Sequence, residues 1–203
     1  EVLWDDIFID TTYEPHHDIE PMENGNILFI SYERKTYEEA VALGRVSIND
    51  EMWPSKIIEI EQVTLDSSQV VWEWNLWDHL IQDVDPSLPN FGVTSNHPEL
   101  MDINIGSLGG GGGSSGDWLH LNSIDYHEFE DVIIFSSRKL NEVYIIDHST
   151  TTQEAASSSG GRFNKGGDIL YRWGNPQNYG RGTEIDQQLI SQHSVNWIEE
   201  EFS

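Results

Sequence analysis

The chain has 203 residues with 36 acidic and 10 basic side chains, a formal net charge of −26. That balance speaks against nucleic-acid binding and against docking on anionic membranes, because no basic surface is available to neutralise phosphates. It fits a highly soluble protein, as in a salty medium where screening relieves self-repulsion. The absence of cysteine removes disulfides and thiolate metal sites, and no run approaches the ~18 apolar residues of a membrane span. Eight Trp and seven Tyr are many for this length and favour sheet.

In chain order, Glu1–Trp4 reads as the end of a strand. His16–Ser31 reads as strand, turn, strand, with Asn24-Gly25 as the hairpin signal. Tyr37–Leu43 suits a helical turn or a decorated loop. Lys56–Val63 and Gln69–Asn75 are predicted strands either side of the polar Asp66-Ser67-Ser68. Residues 76–117 form a long connection with a short helix at Leu76–Gln82 and a loose glycine run, Gly109–Gly116. That run precedes a strand and lacks a P-loop lysine, so it is not read as a phosphate cradle.

Asp117–Arg138 predicts two strands joined by an acidic turn. In the first, Trp118, His120, Asn122 and Ile124 alternate and are expected to share one face. The second, Val132–Phe135, ends in Ser136-Ser137-Arg138. Antiparallel pairing in a suitable register would bring His120 beside Arg138. Two nitrogen-rich side chains together in so acidic a protein point to an anion site. Glu142–Asp147 and Asp168–Asn175 follow as strands around a polar loop, Ser149–Gly167, and Gln192 opens a further strand.

These elements repeat. A four-stranded unit over about residues 16–75 is matched by one over about 118–175, and a third starts near 192. Each opens with a histidine: His16 or His17, then His120, then His193. The pattern predicts an all-β chain, with residues 1–203 forming part of a single β-propeller domain of four-stranded antiparallel blades. First strands line a propeller's central channel, so the three histidines would converge there; the plainer reading is core packing or coincidence. Two units cannot close a ring, so the chain either belongs to a longer protein or associates with others, a homo-oligomer included. His127 and His148 read as surface or turn residues, and His79 and His97 as part of a solvated connection. Trp72, Trp74 and Trp173 are expected between blades. Tyr171, Tyr179 and Arg181 are weaker candidates at the mouth of a site. No twelve-residue EF-hand arrangement surrounds Asp147, Asp168 or Asp186, so no metal is expected.

The ordered set DWLHLNSIDY, FSSR, GDILYRWGNPQNYGRGT and QH followed by Trp197-Ile198 resembles the bacterial-type arylsulfotransferases, as does HHDI before its NGN turn. Arg138 stands 18 positions after His120 (138 − 120). The resemblance implies a six-bladed propeller, a periplasmic or secreted location, and sulfuryl transfer from a phenolic sulfate ester to a phenol through a sulfated histidine. It implies no cofactor. By motif, His193 would be the nucleophile, while His120 and Arg138 would hold the sulfuryl oxygens. One of His16 and His17 would join them, His17 being preferred because it precedes Asp18. Asn122 is a candidate for hydrogen bonding within the site. The sequence departs from the family pattern at Ser194, where an acidic residue is usual. The competing reading is a non-catalytic acidic propeller that binds anions or partners, or serves extracellular assembly.

Overall fold

The structure, a computed structural model, describes residues 4–5, 13–109 and 116–198. Two four-stranded antiparallel sheets dominate it. The first runs in order β1 (Tyr13–Pro21), β2 (Ile27–Glu33), β3 (Ser55–Thr64), β4 (Ser67–Asn75). The second comprises β5 (Leu121–His127), β6 (Val132–Ser137), β7 (Glu142–Asp147) and β8 (Tyr171–Trp173), also side by side in chain order. Local chemistry sets the first hairpin: Gly25 takes φ 91°, and Asn24 Oδ1 accepts from Asn26 N at 2.9 Å. Between β2 and β3 lies α1 (Tyr37–Ala42), opened by a Thr36/Glu39 capping box. A matching box, Thr151/Glu154, opens the four-residue α2 (Thr152–Ala155) inside the Ser149–Gly167 loop. No helix among the described residues is long and apolar enough to cross a membrane.

The sheets share one core. Leu28, Ile30, Ile57, Trp72 and Trp74 of the first join Ile133, Phe135, Tyr144 and Ile146 of the second. Phe135 sits between Trp74 at 5.4 Å and Tyr144 at 5.3 Å, centroid to centroid. The indoles of Trp72 and Trp74 find partners in the loop between β7 and β8: Trp72 Nε1 donates to Thr150 Oγ1 at 3.1 Å and Trp74 Nε1 to the Gly167 carbonyl at 2.7 Å. The opposite face of the first sheet carries a small cluster of Phe29, Ile58 and Ile60 under Trp4.

Several expectations need correction. Trp72 and Trp74 lie between the sheets as expected, but Trp173 is 45% exposed. It stands on β8, a short strand paired on one side only. The strand expected over Asp168–Asn175 is only those three residues. Leu76–Gln82 is a single 3₁₀ turn, Leu76–Asp78, followed by a two-residue parallel pairing of Leu80–Ile81 with Met101–Asp102. His79 is wholly buried, its Nδ1 2.8 Å from Asp168 Oδ1 and its Nε2 2.8 Å from the Ala155 carbonyl oxygen. His148 is not a surface residue either. It bridges the sheets, with Nε2 3.0 Å from Glu59 Oε2 and Nδ1 2.7 Å from Asp131 Oδ1. In both cases polar partners distant in sequence make burial tolerable. The readings of Glu1–Leu3 and of the glycines at 110–113 fall outside the described residues.

Candidate active site

The first strand of each sheet holds a later segment of the chain through a carboxylate. Asp18 on β1 accepts the Ile124 amide of β5 at 3.1 Å, and Asp125 on β5 accepts the Trp197 amide at 2.6 Å. Ile124 and Trp197 each lie four residues after a histidine, His120 and His193. Further ties hold segment 192–197 along β5: Asn122 Nδ2 donates to the Gln192 carbonyl at 2.8 Å, and the Val195 amide donates to Ser123 Oγ at 2.9 Å. No strand forms from Gln192 as the sequence had suggested. Ser191 and Ser194, at φ 51° and 60°, bend the chain on either side of His193.

This arrangement brings the histidines together. The rings of His17 and His120 meet edge to face with centroids 4.4 Å apart. His193, held along β5 by these ties, lies near enough to His17 that a positive charge on it would lower the pKa of His17. The Arg138 amide donates to the His120 carbonyl at 3.2 Å, so the antiparallel register does join these two residues. His120 does not share an alternating face with Trp118, Asn122 and Ile124. It precedes the strand at φ 52°, and the ladder slips around Asn122. His17 also takes a left-handed φ, 59°. Left-handed backbone at non-glycine residues costs about 1–3 kcal/mol each and persists where surrounding contacts over-determine it. At His120 those contacts come from Asp117, whose Oδ1 accepts the His120 amide at 3.1 Å and whose Oδ2 lies 2.8 Å from His120 Nδ1.

Asp117 is fully buried and also pairs with Lys139 Nζ at 3.2 Å. His16 lies behind the group, stacked on Tyr32 with centroids 3.6 Å apart and planes 18° apart. Burial, then the neighbouring His17, pushes the His16 pKa down to about 3, so this ring is neutral. Its Nδ1 faces His17 Nδ1 at 2.8 Å, and its Nε2 is buried without a partner among the described residues. Burial and then His120 lower the pKa of His17. Burial and the Asp117 carboxylate raise that of the Tyr32 phenol. His193 is exposed, and its Nδ1 lies 3.1 Å from the Ser191 carbonyl oxygen. A carbonyl only accepts, so Nδ1 carries a hydrogen, and in the neutral ring the lone pair is on Nε2.

Of the two adjacent histidines, His17 is the one that meets His120, whereas His16 backs it. Asn122 is buried and holds the segment that carries His193. The Arg138 guanidinium has no ion pair or hydrogen bond among the described residues. Among those residues, no three His, Asp or Glu side chains are arranged to hold a metal ion. Asp117, Lys139 and Tyr32 escaped the sequence reading. Asp117 stands three residues before His120, within reach of a local side-chain-to-backbone turn, and that spacing was the available signal.

Residues 6–166 match the family model for arylsulfotransferase (ASST). The chain belongs to the arylsulfotransferase family. The matched region contains His16, His17, His120 and Arg138 and ends before His193. Family membership points to aryl sulfotransfer as the general activity. No curated protein matches the sequence.

Proposed function

We propose that the protein moves a sulfuryl group from an aryl sulfate ester to a phenolic acceptor through a sulfated His193. In this reading the two sheets are consecutive blades of a six-bladed β-propeller outside the cytoplasm, and β1, β5 and segment 192–197 line its channel. The observation that carries the proposal is the ring contact of His17 with His120, with the segment that bears His193 tied along β5 and Arg138, which no carboxylate neutralises among the described residues, joined to His120 through the backbone.

In the first half, Nε2 of His193 attacks sulfur as the bond from sulfur to the aryl oxygen breaks. The phenolate departs and takes up a proton from His17, and the sulfuryl group remains on His193. In the second half, His17 removes the acceptor phenol's proton. The phenol oxygen attacks sulfur, and the sulfur–nitrogen bond breaks to restore the imidazole. His17 then carries the proton for the next cycle. Covalent catalysis of this kind divides one difficult displacement into two easier ones. Negative charge on the transferring oxygens is met by Arg138 and by His120 Nε2, which Asp117 turns outward by holding Nδ1. The lowered pKa of His17 makes its imidazolium a stronger acid toward the departing phenolate.

Transfer from 4-nitrophenyl sulfate to phenol, measured for the protein and for His193→Ala, tests the reading. Turnover in the parent, none in the variant, and a trapped sulfohistidine at position 193 are expected. A folded protein inactive with several donors and acceptors would overturn it.

A further inference from the structure

The ten basic side chains reveal a second anion site when each is traced to its partner. Arg34, Lys35, Lys56, Lys139, Arg162 and Arg172 pair with carboxylates. Arg45 is buried and donates to the carbonyls of Ser47, Ile103, Ile105 and Gly106. Three cations have no carboxylate in ion-pair contact among the described residues: Arg138, Lys165 and Arg181. Arg138 belongs to the histidine group. Lys165 and Arg181 line one cleft, together with Pro98, Ile169, Leu170, Tyr171 and Tyr179.

In a chain with a net charge of −26, two unpaired cations on one small surface are unexpected. Their alternative partners are already engaged. Glu99, also in the cleft wall, lies 2.9 Å from His97 Nδ1 and feels the charge of Lys165 only from beyond ion-pair distance, and Arg172 below is bound to Glu142. Among the described residues Arg181 is anchored only through Nε, which donates to the Ser95 carbonyl at 2.8 Å. Its two terminal nitrogens are free to contact a ligand. The apolar component comes from Leu170 and from Tyr171, which is 54% exposed. Tyr179 stacks on the Arg172 guanidinium 4.2 Å away, which holds that wall rigid. The cleft volume is about 330 Å³, enough for a single substituted ring.

We propose that this cleft binds a small aromatic anion, with the ring laid on Tyr171 and Leu170 and the anionic group held by Lys165 and Arg181. It lies at the β8 edge of the second sheet, whereas the histidines lie at the β5 edge, three strand spacings or about 14 Å away. The proposal is therefore independent of the transfer chemistry. Sulfate esters and carboxylates share the recognising chemistry, so both are used as probes.

The test is a titration of isotope-labelled protein with benzoate, 4-nitrophenyl sulfate, inorganic sulfate and uncharged benzamide, following the amide signals of Tyr171 and Arg181. Saturable shifts with both aromatic anions are expected. Affinity should weaken about tenfold in Arg181→Gln, the loss of one charge-assisted contact, and recover in part in Arg181→Lys. Transfer activity should not change in these variants. Absence of shifts at these amides, equal binding of benzamide or inorganic sulfate, or an unchanged affinity in the Lys165→Gln/Arg181→Gln double variant would overturn the proposal.

Discussion

Asp117 Oδ2 lies 2.8 Å from Nδ1 of His120, while Asp117 Oδ1 accepts the amide of the same residue. One buried carboxylate thus fixes both the backbone bend and the ring of this histidine. Asp117→Asn keeps the shape but gives the ring a weaker partner and leaves Lys139 short of charge. Sulfuryl transfer is expected to fall by roughly 10²–10⁴, the range seen when a histidine loses its orienting group. Transfer rates measured alongside the nitrogen chemical shifts of the His120 ring check this. Unchanged rates with a changed tautomer would remove His120 from the mechanism.

His148 makes stability depend on pH. Burial opposes its protonation, but hydrogen bonds to Glu59 and Asp131 outweigh burial and hold its pKa above the ordinary 6.5. The folded state therefore binds this proton more tightly than the unfolded state does. The resulting stabilisation is complete below about 6.5 and disappears as pH rises through the folded value. Melting temperatures of the protein and of His148→Gln, compared across pH 6 to 9, should converge toward the alkaline end. A constant gap between them would show that the ring acts by packing alone.

The Arg172–Glu142 pair is buried and two-pronged, with Nε–Oε1 at 3.1 Å and Nη2–Oε2 at 2.6 Å. Glu142 also accepts from Tyr144 and Asn178, so removal of the arginine strands a carboxylate in the core. Arg172→Met is expected to cost about 3–5 kcal/mol in urea unfolding. A loss below about 1 kcal/mol, the range of exposed pairs, would contradict this account.

Trp74 links the two sheets through its tilted ring contact with Phe135 and its bond to the Gly167 carbonyl. Trp74→Ala should destabilise by about 3–5 kcal/mol, and Trp74→Phe by less, since it retains the ring but loses the donor. Thermal denaturation of the two variants separates packing from hydrogen bonding.

Much of the β architecture was legible because periodicity and turn chemistry are local. Asn24-Gly25 marked a hairpin, and Glu142–Asp147 matched its strand at both ends. The meeting of His120 and Arg138 was legible for the same reason, since a hairpin register relates them. The roles of His79 and His148 were not. Each is buried by a carboxylate from a distant segment, and nothing beside it in sequence announces that partner. The left-handed turn at His120 was hidden by an alternation of residue types that it interrupts. Trp173 misled for the opposite reason: it repeats the Trp74 pattern on a strand that ends a sheet and has no neighbour to cover it.

The relay from Asp18 to Ile124 and from Asp125 to Trp197 separates loop length from the placing of two histidines. His120 and His193 are each followed, four residues on, by an amide anchored to the preceding sheet's first strand, and His120 is held besides by Asp117 at the end of its own loop. The parts of the 76–117 connection remote from Asp117 can therefore lengthen, shorten or change sequence over evolution while His120 stays in place. The intolerant stretches are the three-residue spacing from Asp117 to His120 and the four-residue spacing between a histidine and its anchored amide, where one insertion would shift the ring away from its neighbours.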